Sequence, residues 1–148
     1  MTSKILVVDD EPNMEFLVRE KFQTHIRNGT YQFVFARNGL DALELLKKDG
    51  TIRLVLSDIN MPKMDGLTLL TKINELDRIL HTIIMTAYSD IANIRLAMNR
   101  RAFDFLMKPF DFDDMEITIN RALENLRVIY ENIHARKVAE QQLKMQAT

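Results

Sequence analysis

Short apolar runs alternate along this chain with longer segments of helical period, and five such pairs can be counted. The apolar runs fall at residues 5–8, 31–36, 54–57, 82–86 and 104–107. Several are apolar at every position instead of at alternate ones, as strands buried on both faces of a parallel sheet should be. Helices are predicted at residues 12–25, 40–48, 67–76 and 91–100, with a last one starting near Phe112. Pro12 stands at an early helical position, where its missing N–H is not needed, and Asp111 is placed to cap the last helix with Asp114 three residues on. Strands and helices in alternation, joined by right-handed crossovers, make an α/β fold: an open sandwich around a parallel sheet. Ligands of such sheets bind beyond the carboxyl ends of the strands, near the point where strand order reverses. The residues at the strand ends therefore decide function.

The last segment, from Phe112 to about Met145, contains neither Pro nor Gly and is rich in Glu, Gln, Lys, Arg and Leu. As one helix it would reach roughly 50 Å at about 1.5 Å per residue, longer than a small domain is wide, so it must project. Met115, Ile119, Leu123 and Leu126 form a stripe able to dock on the sheet, and Ile129, Tyr130 and Ile133 carry apolar character further out. Arg136, Lys137 and Glu140 then break the seam, which leaves too little for a coiled coil of about three or four heptads. A signalling helix leading toward a neighbour and a solvated tail both fit. The expected division is a domain over residues 1–126 with a helical extension over 127–148.

With 148 residues the chain can bury a real core, and one domain with an appendage fits the length. The net charge of −1 and the lack of a dense Lys/Arg block argue against direct nucleic-acid binding. The absence of cysteine excludes disulfides and thiolate metal sites and fits a reducing cytoplasm. His25, His81 and His134 lie far apart without ligand spacing. Only four apolar residues, 5–8, precede the first aspartates, so the start is neither a signal peptide nor a membrane span. Of the nine methionines, those at apolar-periodic positions, such as Met85, Met98 and Met115, read as core filling.

Chemistry gathers at the strand ends. The first strand runs into Val8-Asp9-Asp10-Glu11-Pro12, the third ends in Ser57-Asp58, the fourth in Met85-Thr86-Ala87 and the fifth in Met107-Lys108-Pro109. Singly, each has an ordinary structural explanation: paired aspartates are common in turns, Lys-Pro in loops and Thr in strands. Together they bring three carboxylates, a hydroxyl and an ammonium to one sheet edge, where crowded acids repel unless a cation sits among them. Hard oxygen ligands of this kind suit Mg²⁺. A carboxylate beside Mg²⁺ and a lysine is in turn a competent phosphoryl acceptor, because both cations neutralise charge on the transferring oxygens.

Asp58-Ile59-Asn60-Met61-Pro62-Lys63-Met64-Asp65-Gly66 matches a D-x-x-M-P-x-M-D-G signature, and Val7-Val8-Asp9-Asp10-Glu11, Thr86-Ala87 and Lys108-Pro109-Phe110 match further blocks in order. On these residues the chain resembles the receiver domains of two-component response regulators over about residues 3–126. The resemblance implies a flavodoxin-like, doubly wound (βα)5 sandwich with strand order 2-1-3-4-5. It makes Asp58 the phosphoacceptor, with Asp10, Asp58 and the backbone carbonyl of Asn60 as direct Mg²⁺ ligands and Asp9 acting through water. Lys108 would pair with phosphoryl oxygens, and its bond to Pro109 is expected to be cis. Thr86 and Phe105 would relay the signal to an output face at about residues 90–126, while Asn60 and Tyr88 would flank the hydrolytic water and tune dephosphorylation. The implied partners are a sensor histidine kinase or phosphotransfer protein, an output domain beyond residue 148 or a separate effector, and a second copy in a homodimer. Such a protein is a cytoplasmic bacterial switch that assists its own phosphorylation and dephosphorylation, not a metabolic enzyme. Two departures stand out: Arg101 occupies a position where relatives commonly have Gly, and the segment 24–30 is slightly long, although Asn28-Gly29 supplies turn chemistry.

Rival readings fit less well. A phosphohydrolase of the haloacid-dehalogenase type needs D-x-D after the first strand, where this chain has Asp9-Asp10-Glu11. A nucleotide- or flavin-binding domain needs a Gly-, Ser- or Thr-rich loop there, and residues 9–14 have none of these. A degenerate receiver that only docks would be expected to have lost part of the pocket, yet Asp9, Asp10, Asp58, Thr86 and Lys108 are all present.

Overall fold

The computed structural model describes residues 2–87, 90–109 and 111–146. Five parallel strands, β1 (Ser3–Val8), β2 (Tyr31–Ala36), β3 (Ile52–Asp58), β4 (His81–Ala87) and β5 (Asp104–Lys108), form one sheet in the order β2-β1-β3-β4-β5. The helices are α1 (Asn13–Lys21), α2 (Gln23–Arg27), α3 (Gly39–Lys48), α4 (Gly66–Asn74), α5 (Ile91–Asn99) and α6 (Phe112–Gln146). The five-stranded parallel sheet and its order agree with expectation, while most strands extend a residue or two beyond their apolar runs.

Alternation sorts the two faces. Ile5 and Val7 of β1 join Leu54, Leu56, Ile83 and Met85 in a core closed by Met14 and Val18 of α1 and by Met115, Ile119 and Ala122 of α6. Leu6 and Val8 point the other way, onto Ala42 and Leu46 of α3 and Leu69 and Ile73 of α4. A smaller cluster, with Leu70, Ile84, Ala97 and Ala102, seats α5. Met98 departs from its expected core role: its neighbour Ala97 takes the inward position, and Met98 is 40% exposed.

The first predicted helix is interrupted. Phe22 leaves helical geometry at φ −103° and ψ 20°, separating α1 from α2. Its fully buried ring packs among His25, Tyr31, Phe33 and Phe112 with centroids 5.6–6.4 Å apart, and such aromatic contacts outweigh a local departure from helix. Gly29, at φ +77°, then turns the chain into β2, and the Asn28 side chain accepts from the Thr30 N–H at 3.0 Å. Arg101 also holds a left-handed φ, of +69°.

Helix α6 is continuous over 35 residues and opens with the Asp113 N–H donating to the Asp111 carboxylate at 2.8 Å. Met115, Ile119 and Leu126 are buried, each contributing about 1.5–3 kcal/mol by leaving water. Contact with the sheet continues to Tyr130, whose hydroxyl donates to the Ile79 carbonyl at 2.9 Å and whose ring lies 4.5 Å beneath the Arg53 guanidinium. Beyond residue 133 every described position is exposed. Among the described residues, no helix is long and apolar enough to cross a membrane.

Candidate phosphoacceptor and metal site

The register of the inner strands sets the site. Val8 lies beside Ser57, and Asp58 beside Met85, so the first residues past β1 and the last of β3 share one edge. Ala87 of β4 lies beside Lys108 of β5, which places the lysine at the same edge. Carboxylate oxygens of Asp9, Asp10 and Asp58 all come within 4.8 Å of one another. Asp9 is buried, Asp58 partly buried and Asp10 exposed. The Lys108 ammonium reaches between two of them, donating to Asp9 Oδ2 at 3.0 Å and to Asp58 Oδ2 at 3.2 Å.

Backbone donors fix the remaining oxygens. The Glu11 N–H donates to Asp9 Oδ1 at 2.9 Å, and the Ile59 N–H donates to Asp58 Oδ1 at 2.8 Å. Burial raises the Asp58 carboxyl above its ordinary value, with the Asp9 charge adding to the rise and Lys108 opposing it. For Lys108, burial works to lower the ammonium, but the hydrogen bond to Asp9 and the charges of Asp58 and Asp9 prevail and hold it above its ordinary value. Three carboxyl groups thus gather at this edge, and the Lys108 ammonium bridges two of them.

That donor set fits a hard divalent cation. Three carboxylates crowded on so little counter-charge are what a Mg²⁺ ion with retained waters would neutralise, and Asp10 presents its oxygens to solvent, from which such an ion arrives. Asn60 is exposed at the rim, two residues past Asp58. The Lys108-Pro109 bond is cis, as expected.

Thr86 is 1% exposed, and its hydroxyl has no hydrogen-bond partner among the described residues. A buried hydroxyl left in this state is costly unless something arrives to bond it. Phe105 is half-buried on β5 beside Ile84 of β4, two strands from Asp58. Tyr88 lies outside the described residues. Asp9, Asp10, Asp58 and Lys108 are therefore brought together, with Thr86 one position past the register partner of Asp58.

Two contributors were not legible from residue types. Gly66 is required by close approach, since a Cβ added there would stand 2.0 Å from the Asp58 carbonyl oxygen, and its N–H donates to the Ile59 carbonyl at 2.8 Å. Ser57, wholly buried, donates its hydroxyl to that same Asp58 carbonyl at 2.9 Å. The only sequence signal for Ser57 was a small polar residue closing an otherwise apolar run.

Comparison with known proteins agrees with this geometry. Residues 5–120 match the response regulator receiver domain family. The chain belongs to that family. It is 37% identical over 124 residues to the transcriptional regulatory protein ZraR of Klebsiella oxytoca, covering 84% of this chain and 27% of that protein. It is 36% identical over 123 residues to sporulation initiation phosphotransferase F of Bacillus subtilis (strain 168), covering 83% of this chain and 95% of that protein. Among solved structures, NtrX from Brucella abortus superposes with a TM-score of 0.80 at 30% identity, covering 93% of this chain and 31% of that one. The receiver thus spans about a quarter of the ZraR relative and nearly the whole of the phosphotransferase.

Proposed function

We propose that this receiver accepts a phosphoryl group on Asp58 from a phosphohistidine of a sensor histidine kinase or phosphotransfer protein, in a Mg²⁺-dependent reaction. The observation that carries the reading is the Lys108 ammonium bridging Asp9 and Asp58 beside a Thr86 hydroxyl that has no partner among the described residues. Asp58 Oδ2 forms the new bond to phosphorus. The N–P bond of the donor breaks, and its electron pair returns to the imidazole, which takes up a proton. Asp10, Asp58 and the Asn60 carbonyl would hold Mg²⁺, with Asp9 through water, and the ion would supply counter-charge for the phosphoryl oxygens. Lys108 then pairs with those oxygens, and Thr86 donates the hydrogen bond it lacks.

Added phosphate charge needs a two-state element to become a signal. Thr86 and Phe105 fill that role here, biasing the surface formed by α5, β5 and α6. Ile91, Leu96, Met98, Met107 and Ile117 on these elements are exposed, which suits a surface covered by a partner. That partner is an output domain beyond residue 148, a separate effector, or a second copy joined through this face or α6. Asn60 and Tyr88 tune the lifetime of the adduct by screening the hydrolytic water, so Tyr88→Ala should hasten its loss. The protein is a regulator that assists its own modification and operates in the cytoplasm.

Incubation with Mg²⁺ and a small acyl phosphate tests the reading by intact mass. A labile phosphoryl increment is expected in the unmutated protein and not in Asp58→Asn. An unmodified parent chain, with histidine kinases as well, would overturn it.

A further inference from the structure

We propose that Ser57 is a positioning residue for phosphoryl transfer, acting through the Asp58–Ile59 peptide to choose which oxygen of Asp58 faces Lys108. The inference rests on the phosphoacceptor reading of Asp58. Ser57 lies in the central strand β3 between Val8 of β1 and Ile84 of β4 and is 0% exposed. Its neighbours Leu54, Val55 and Leu56 are equally buried and all apolar. A hydroxyl at such a place is unfavourable by roughly 1–3 kcal/mol unless it is bonded. It is bonded: the Oγ donates to the Asp58 carbonyl oxygen at 2.9 Å.

That oxygen is confined from a second direction as well. Gly66 lies so close that a Cβ on it would come within 2.0 Å of the same atom. A peptide unit is planar, so holding its C=O also aims its N–H. The N–H of this unit is that of Ile59, which donates to Asp58 Oδ1 at 2.8 Å. With Oδ1 engaged, Oδ2 is the oxygen turned to Lys108 at 3.2 Å. A hydroxyl on one side of the backbone is thereby coupled to the orientation of a carboxylate on the other. The Ser57 hydroxyl bonds the Asp58 carbonyl and none of the Asp9, Asp10, Asp58 or Lys108 side chains, so it contributes by geometry, where small misplacements cost large factors in rate.

The test uses the full chain with Mg²⁺ and a small acyl phosphate, following adduct formation by intact mass for the parent, Ser57→Ala and Ser57→Thr. In parallel, the Ile59 amide resonance is followed in ¹⁵N-labelled protein with Mg²⁺ and no phosphodonor. Ser57→Ala should fold, show a displaced Ile59 amide, and form adduct roughly tenfold more slowly at saturating donor. The donor concentration for half-maximal rate should not change. Ser57→Thr, which keeps the hydroxyl, should restore both the resonance and the rate. Parent-like modification by Ser57→Ala, an unmoved Ile59 amide, or equal slowing in both variants would overturn the inference while leaving the phosphoacceptor reading intact. Absence of adduct in the parent chain would overturn both.

Discussion

At the scale of single residues, the backbone of Arg101, left-handed like that of Lys63, carries a local cost. A side chain at φ +69° loses about 1–2 kcal/mol relative to the right-handed region. Glycine would relieve that loss but would enlarge the conformational freedom of the unfolded chain, offsetting roughly 0.5–1 kcal/mol. Arg101→Gly should therefore stabilise the fold by about 0.5–1 kcal/mol, read as a higher urea midpoint at unchanged slope. Asp49 works in the opposite direction. Hydrogen bonds from Lys4 and Thr51 lower its carboxyl from 3.8 to about 2. Because the folded value is the lower one, the stabilisation is complete above pH 3.8 and is lost as pH falls toward 2. Partial exposure limits it to about 1 kcal/mol. Asp49→Asn should lower the urea midpoint at pH 6 by a corresponding amount, and the gap between the two proteins should narrow as the pH is taken below 4, as expected from the same 3.8 reference. The legible site residues were those whose position follows from strand ends, namely Asp9, Asp10, Asp58, Thr86 and Lys108. Ser57 and Gly66 were not legible as positioning groups because their role depends on a backbone oxygen, and no residue type announces where a carbonyl points.

At the scale of elements, periodicity located every strand but missed the break at Phe22. The reason is physical: the N–H of Phe22 still donates to the Val18 carbonyl and that of Ile26 to the Phe22 carbonyl, both at 3.0 Å. Spacing along the chain therefore hardly changes, and the distant aromatic partners Tyr31, Phe33 and Phe112 show why Phe22 leaves helical geometry. Helix α6 was foreseen as one long element, and its apolar stripe was read correctly at Met115, Ile119 and Leu126. The polar anchors were not foreseen. Asn125 bonds His81 at 2.7 Å, and Tyr130 links Ile79 and Arg53. Tyr130→Phe keeps the ring beneath Arg53 and removes the hydroxyl, at an expected cost of about 1 kcal/mol. If Tyr130 pins the helix past Leu126, amide exchange over residues 127–133 should quicken roughly fivefold, the factor equivalent to that energy, while exchange in β3 stays slow. Equal acceleration throughout would show a global loss of stability instead of a local release.

For the whole molecule, a net charge of −1 conceals a strong local imbalance, because three carboxylates and one ammonium meet at a single sheet edge. Two unit charges 4 Å apart interact by about 1 kcal/mol in a water-like dielectric and by more in a partly buried setting. The fold therefore carries a repulsion at its centre of chemistry that a bound cation would remove. Two opposed effects follow for Asp10→Asn, which neutralises the exposed member of the cluster without emptying its space. Without divalent ions the variant should be more stable than the parent by about 0.5–1 kcal/mol, since one repelling charge is gone. With Mg²⁺ the order should reverse. A cation that binds only the folded chain at ten times its Kd adds about 1.4 kcal/mol to the parent, and the variant, having lost a ligand, gains little at the same concentration. Urea midpoints for both proteins across a Mg²⁺ titration measure this directly, and the crossing of the two curves is the expected result. Parallel curves would mean that Asp10 does not help hold the ion, and a parent midpoint indifferent to Mg²⁺ would mean that the cluster does not bind it.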